Sequence, residues 1–232
     1  LMKHFKHFIL LISLCSLILF SNCSDDISSL RLLPLNIEIE TLDEILILGN
    51  SITYSSENHA IGWFGNWGMA ASSQEKDYVH LLEEKLTVRN ATLKVKSYNI
   101  SKFEHQLLEF NFDELDSLFN DKISLAIVNL GENFNDPSTQ MEFRTAFSNL
   151  IAYIEKKDVA HILVIDSFWQ KKINRDIREI AINKDIGFAS ITDISSKTTN
   201  MAYSFENTFL KKHPGDRGME KIAERILLAL NL

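Results

Sequence analysis

Four consecutive aliphatics, Ile45, Leu46, Ile47 and Leu48, run into Gly49-Asn50-Ser51 with no polar residue among them. A strand with one solvated face alternates apolar and polar side chains. A strand covered on both faces does not, and such strands belong to parallel sheets held between layers of helix. Leu125-Ala126-Ile127-Val128 repeats the pattern and runs into Asn129-Leu130-Gly131-Glu132-Asn133. Two runs of this kind, each stopping at a polar turn, fix the class of fold more tightly than any other feature.

Between the runs the apolar period becomes helical. Residues 74–88 put Val79, Leu82 and Leu86 on one side. Asp136-Pro137 precedes a stripe of Phe143, Phe147, Leu150, Ile151 and Ile154; Asp can cap free amides and Pro suits a first helical position. Residues 173–183 read as a further helix, and Met219, Ile222, Ala223, Ile226 and Leu230 recur at helical spacing after Asp216. A Phe-rich segment, 104–119, is also expected to be helical. Strands at 93–98, 161–165 and 188–191 complete five strand-helix alternations, with 93–98 charged enough for an edge. The expectation is an α/β fold: a three-layer α/β/α sandwich on a five-stranded parallel sheet, flavodoxin-like in winding.

The first residues read differently. Lys3, His4, Lys6 and His7 precede an apolar run from Phe8 to Phe20, the size of a signal-peptide core and short for a membrane span. The run ends at Ser21-Asn22-Cys23-Ser24-Asp25-Asp26. A cysteine there resembles the lipidation site of a bacterial lipoprotein, although Asn22 stands where a smaller residue is usual. The acidic residues after it resemble a surface-export signal of Bacteroidota lipoproteins. The expected organisation is a signal peptide at 1–22, a tether at 23–42 and one domain at 43–232. The product would be exported and anchored in a membrane through Cys23, at the outer membrane, cell surface or periplasm. Cys15 lies inside the leader, so the remainder has no cysteine pair for a disulfide. Net charge is −7, and −9 without Lys3 and Lys6. An acidic chain with no basic stripe argues against nucleic acid as a partner.

Residues 51–73 form a long segment with neither period, rich in Gly, Asn, Ser and aromatics; segments of that length inside a domain are usually functional. Trp63 and Trp67 there either stack on sugar rings or pack inward as a small core. His59, His80, His105 and His161 show no paired metal-ligand spacing, and neither metal nor cofactor is expected.

Parallel strands deliver Gly49-Asn50-Ser51 and Gly131-Glu132-Asn133 to one edge of the sheet, and the loop with His213-Pro214 must return there before the last helix. A serine, an asparagine and a histidine supply a nucleophile, a hydrogen-bond donor and a base, as acyl transfer requires. Gly49-Asn50-Ser51-Ile52-Thr53, Gly131-Glu132-Asn133 and His213-Pro214 followed by Gly218-Met219 resemble, in order, three blocks of the SGNH hydrolases, the GDSL-type esterases and lipases.

The resemblance implies a serine esterase acting through an acyl-enzyme: Ser51 as nucleophile, His213 as base, Asn133 as oxyanion donor, with Gly131, Asn50 and an amide near Ser101 around them. It implies no cofactor and an acyl, chiefly acetyl, ester of a carbohydrate as substrate. Two positions depart from the pattern. Leu210 stands where the family places an aspartate three residues before the histidine, and residues 99–104 lack the glycine of the second block. His213 would then be oriented by a main-chain carbonyl in a Ser-His dyad, or by Glu206 or Asp193; the dyad is preferred. The alternative function is a weak or inactive glycan-binding module on the same fold. A nucleotide or flavin binder is disfavoured because no strand is followed by a Gly-rich phosphate loop.

Overall fold

Each aliphatic run forms a strand in the computed structural model, which describes residues 32–232. The expected leader and Cys23 lie outside the described residues. Six strands make one sheet: β1 (Leu32–Leu33), β2 (Glu44–Gly49), β3 (Lys94–Asn99), β4 (Ile123–Asn129), β5 (His161–Ile165) and β6 (Gly187–Ala189). Their order is β1-β6-β5-β4-β2-β3. All neighbours are parallel except β1, which runs antiparallel to β6. Without β1 the order is that of the flavodoxin-like winding, which reverses between β2 and β4.

Among the described residues five α-helices cover the sheet: α1 (Tyr78–Thr87), α2 (Lys102–Gln106), α3 (Gln140–Glu155), α4 (Ile173–Lys184) and α5 (Asp216–Ala229). Alternate residues of one strand feed different layers. Ile45 and Ile47 of β2 join Leu82, Ile222 and Ile226 of α1 and α5. Leu46 and Leu48 join Phe103, Phe147 and Ile177 of α2, α3 and α4. This two-sided burial is why β2 carries no polar alternation.

Three sequence expectations need correction. The sheet has six strands, the extra one being the two-residue β1. The segment 32–42 is not a tether, because besides β1 it buries Ile37, Ile39 and Leu42 in the core beside α1 and α5. The helix expected at 104–119 is the short α2 followed by two 3-10 stretches, Leu107–Glu109 and Phe112–Leu118. Leu107 adopts φ +49° and breaks the α-helix, and Asn111 caps the second stretch by accepting from the Asp113 amide.

Candidate active site

The turn after β2 is closed by Asn50. Its carbonyl accepts from the amides of Thr53 and Tyr54, both at 3.0 Å, and its Oδ1 accepts from Ile52 at 3.1 Å. Three successive amides after Ser51 are thus engaged, whereas that of Ser51 itself has no hydrogen bond among the described residues. The winding also requires Gly49, since a Cβ there would lie 1.9 Å from Thr53 Oγ1 and 3.1 Å from the Asn129 carbonyl.

Ser51 Oγ lies 3.2 Å from His213 Nε2. The other ring nitrogen, Nδ1, lies 3.0 Å from the carbonyl oxygen of Phe209. A carbonyl only accepts, so Nδ1 carries the proton, and in the neutral imidazole Nε2 presents its lone pair to Ser51. The carbonyl therefore fixes the tautomer a general base needs. His213 is 2% exposed. Edges of the Trp169 and Phe209 rings flank it at centroid distances of 5.7 and 4.8 Å, and Trp169 Nε1 donates to the Lys212 carbonyl. Burial lowers the His213 pKa below the usual histidine range, partly opposed by the Phe209 carbonyl.

The second turn is built on two buried carboxylates. Glu104 of α2 accepts from the amides of Gly131 and Asn133 and, at 2.7 Å, from Asn133 Nδ2. One hydrogen of the Asn133 carboxamide is therefore committed and its second is left to face elsewhere. Glu132 accepts from Asn50 Nδ2 and, at 2.8 Å, from the Phe168 amide. The Asn50–Glu132 bond ties the turn carrying Ser51 directly to the turn carrying Asn133. Burial first, and then the neighbouring Glu104 charge, push the Glu132 pKa up to about 7; burial also raises Glu104, against its three donors. Lys171 Nζ donates to the Glu132 and Phe134 carbonyls, both at 2.6 Å. Gly131 has φ +128°, a conformation side chains rarely adopt, and a Cβ would lie 2.9 Å from Ile173.

Five further expected residues take the following places. The Ser101 amide donates to Asn99 Oδ1 at 2.9 Å, so it is already engaged. Asp193 is bound by the Arg225 guanidinium at 3.1 and 3.2 Å, and Glu206 is exposed on the wall of a surface pocket with Ile61 and Phe205. The described partner of His213 Nδ1 is the Phe209 carbonyl in place of either acid. Trp63 is 2% exposed and packs with Met69, Ala70, Ala202 and Leu210, while Trp67 is half-buried beside it with its Nε1 on the Ala71 carbonyl. Trp63 thus packs inward, and Trp67 packs against it with part of its ring exposed. Glu104, Phe209, Trp169 and Lys171 went unread in the sequence. Only Phe209 carried a signal, a residue four before the histidine whose carbonyl a turn could bring back.

No protein-family model and no curated protein matches this chain. Solved structures do match, and they carry the fold of the GDSL-type, or SGNH, hydrolases. A two-domain esterase active on acetylated mannans aligns over 81% of this chain and 48% of its own, with 20% identity and a TM-score of 0.55. The acetylxylan esterase Axe2 of Geobacillus stearothermophilus aligns over 84% and 97%, with 15% identity and a TM-score of 0.55. A protein described as a GDSL-like lipase, from Parabacteroides merdae, aligns over 85% and 99%, with 14% identity and a TM-score of 0.59. The chain spans about half the length of the mannan esterase. At these identities the likeness defines one thing, an SGNH-type fold.

Proposed function

We propose that the chain is a serine esterase that hydrolyses acyl esters, chiefly acetyl, on carbohydrate through a Ser51–His213 dyad. One observation carries this reading: Ser51 Oγ faces a His213 Nε2 whose tautomer the Phe209 carbonyl dictates. His213 takes the serine proton as Oγ attacks the ester carbonyl. The developing oxyanion is met by the Ser51 amide and the uncommitted N–H of Asn133. The imidazolium returns its proton to the departing sugar hydroxyl, and water, activated by the same imidazole, releases the acid. In serine proteases, replacing the triad aspartate by asparagine costs ~10⁴ in turnover because the imidazole takes the wrong tautomer. Here the carbonyl holds the right one, so the missing aspartate removes charge stabilisation but not orientation.

The names of two fold neighbours, an esterase active on acetylated mannans and an acetylxylan esterase, support a carbohydrate ester as substrate. Export and a lipid anchor on Cys23 form part of the same proposal, and mass spectrometry of the N-terminal peptide from the native host tests them. Catalysis is tested with p-nitrophenyl acetate and with acetate release from acetylated xylan and mannan. Ser51→Ala should abolish both while leaving the melting transition in place. Unchanged turnover in that variant would overturn the assignment.

A further inference from the structure

A groove of about 900 Å³ runs along the carboxyl end of β3, which pairs with the strand leading into Ser51; residues 54–58 line one wall and residues 96–99 with Ser101 the other. It begins three residues beyond Ser51 and follows β3, the edge strand, whose outer backbone groups have no strand beyond them among the described residues. We propose that this groove is the subsite that holds the sugar chain on which the ester is carried. The inference rests on the esterase reading for its orientation toward Ser51.

The lining argues for a polyhydroxyl ligand. Apart from Lys96 and Glu57 it consists of hydroxyls, carboxamides and two phenols, Tyr54 and Tyr98, and no aliphatic side chain contributes to it. A fatty acyl chain would find no aliphatic side chain to pack on there. The one cation, Lys96, is paired with Glu44, and the one carboxylate, Glu57, is paired with His59, so a phosphate chain meets no unpaired cation. Neutral donors and acceptors beside an accessible aromatic face suit a sugar ring, which offers hydroxyls at its rim and C–H groups on its faces. Tyr98 is 37% exposed and supplies that face from the strand.

The groove is also built in advance. The Ser55 amide donates to the Trp67 carbonyl at 3.0 Å, the Asn58 amide to the Trp63 carbonyl at 2.8 Å, and Trp63 Nε1 to the Ser55 carbonyl at 3.2 Å. Asn99 Nδ2 donates to the Tyr54 carbonyl at 2.8 Å and ties the two walls together. The buried Trp63 and half-buried Trp67 thus brace the wall from behind while the tyrosines face the cleft. A rigid wall lowers the ordering cost of binding.

The test compares two substrates. Acetylated xylo- and manno-oligosaccharides reach the groove, whereas p-nitrophenyl acetate is too small to fill it. In Tyr98→Ala, and in Ser56→Trp, which fills the cleft, the ratio of kcat/KM on the oligosaccharides to that on p-nitrophenyl acetate should fall about tenfold, the scale of one lost aromatic contact. The loss should appear in KM, and the wild-type gain with chain length should vanish. Ser51→Ala protein titrated with deacetylated xylohexaose and mannohexaose, followed by amide NMR shifts, should show changes at 54–58 and 96–99; which sugar shifts them identifies the glycan. An unchanged ratio in both variants, with hexaose shifts elsewhere or none, would overturn the groove while p-nitrophenyl acetate hydrolysis kept the esterase reading intact. No hydrolysis of any ester, with shifts still confined to the groove, would remove the esterase reading and leave glycan binding standing.

Discussion

The Phe209 carbonyl lies 3.0 Å from His213 Nδ1, four residues ahead of it in the same chain turn. Orientation of the base is therefore a property of the loop backbone, and no acidic side chain should be essential to it. Glu206→Gln is expected to keep kcat/KM within about twofold on p-nitrophenyl acetate, whereas His213→Ala should lose at least ~10³. Introducing the family's acid should fail as a repair. Leu210 is buried with Trp63 and Met69, so Leu210→Asp would put an unpaired carboxylate into an apolar cluster. Thermal melting should show a loss of roughly 2–4 kcal/mol with no rise in turnover. A faster Leu210→Asp enzyme would contradict the packing described.

The pH profile should report the burial of His213. Its lowered pKa keeps the imidazole neutral, and so basic, to more acidic pH than an exposed histidine near about 6.5. The acidic limb of kcat/KM should thus fall below that value. The same shift affects stability with a definite sign. In the window between the lowered folded value and the ordinary unfolded one, the unfolded chain binds more protons, so stability drops as pH falls through it. Measuring kcat/KM and melting temperature from pH 4 to 8 checks both; an acidic limb above the ordinary value would count against a buried neutral base.

Glu132 should act in the opposite sense. Its pKa is pushed up to about 7, so the folded state holds a proton that the unfolded state has released. The stability this group contributes is complete below the ordinary glutamate value and is lost as pH rises through about 7. Relative to Glu132→Gln, wild-type melting should be highest near pH 5 and decline toward pH 8. A constant difference across that range would show that the carboxylate is ionised throughout.

Much of the fold could be read from the residues because burial leaves a local mark. Ile45 to Leu48 and Leu125 to Val128 are covered on both faces, and an unbroken aliphatic run is the direct trace of that. Leu32 and Leu33 leave no such mark, since two residues carry no period and their pairing partners lie at Phe188 and Ala189. The site divides in the same way. Ser51, His213 and Asn133 follow from strand ends and block order. Glu104 does not, because a lone glutamate in a polar stretch reads as solvated, and its burial arises only when Gly131 and Asn133 close over it. The engagement of the Ser101 amide is illegible for a related reason: whether a backbone amide is free depends on a neighbour's rotamer, here that of Asn99.

Trp63 distinguishes packing from recognition. It is buried beside Leu210 and Ala202 and donates from Nε1 to the Ser55 carbonyl. Trp63→Ala should lose roughly 3–5 kcal/mol of stability, as large buried aromatics do. Chemical denaturation measures this. A stable variant with only a raised KM would instead place the ring at the substrate.

Glu104 provides the sharpest test of the oxyanion side. One carboxylate oxygen receives the Gly131 and Asn133 amides and the other receives Asn133 Nδ2. In Glu104→Gln the single remaining oxygen can still hold the two amides, but an NH₂ then faces the Asn133 NH₂. Two donors cannot pair, so the Asn133 carboxamide must turn over and present its oxygen to the new side chain. The N–H proposed for the oxyanion then leaves its place while the fold around it survives. Turnover of p-nitrophenyl acetate should fall by ~10²–10³, close to the loss in Asn133→Ala, with KM little changed. Combining the two substitutions should cost hardly more than either alone, since both remove the same donor. Additive losses in the double variant would mean that Glu104 acts on the reaction by some route other than Asn133.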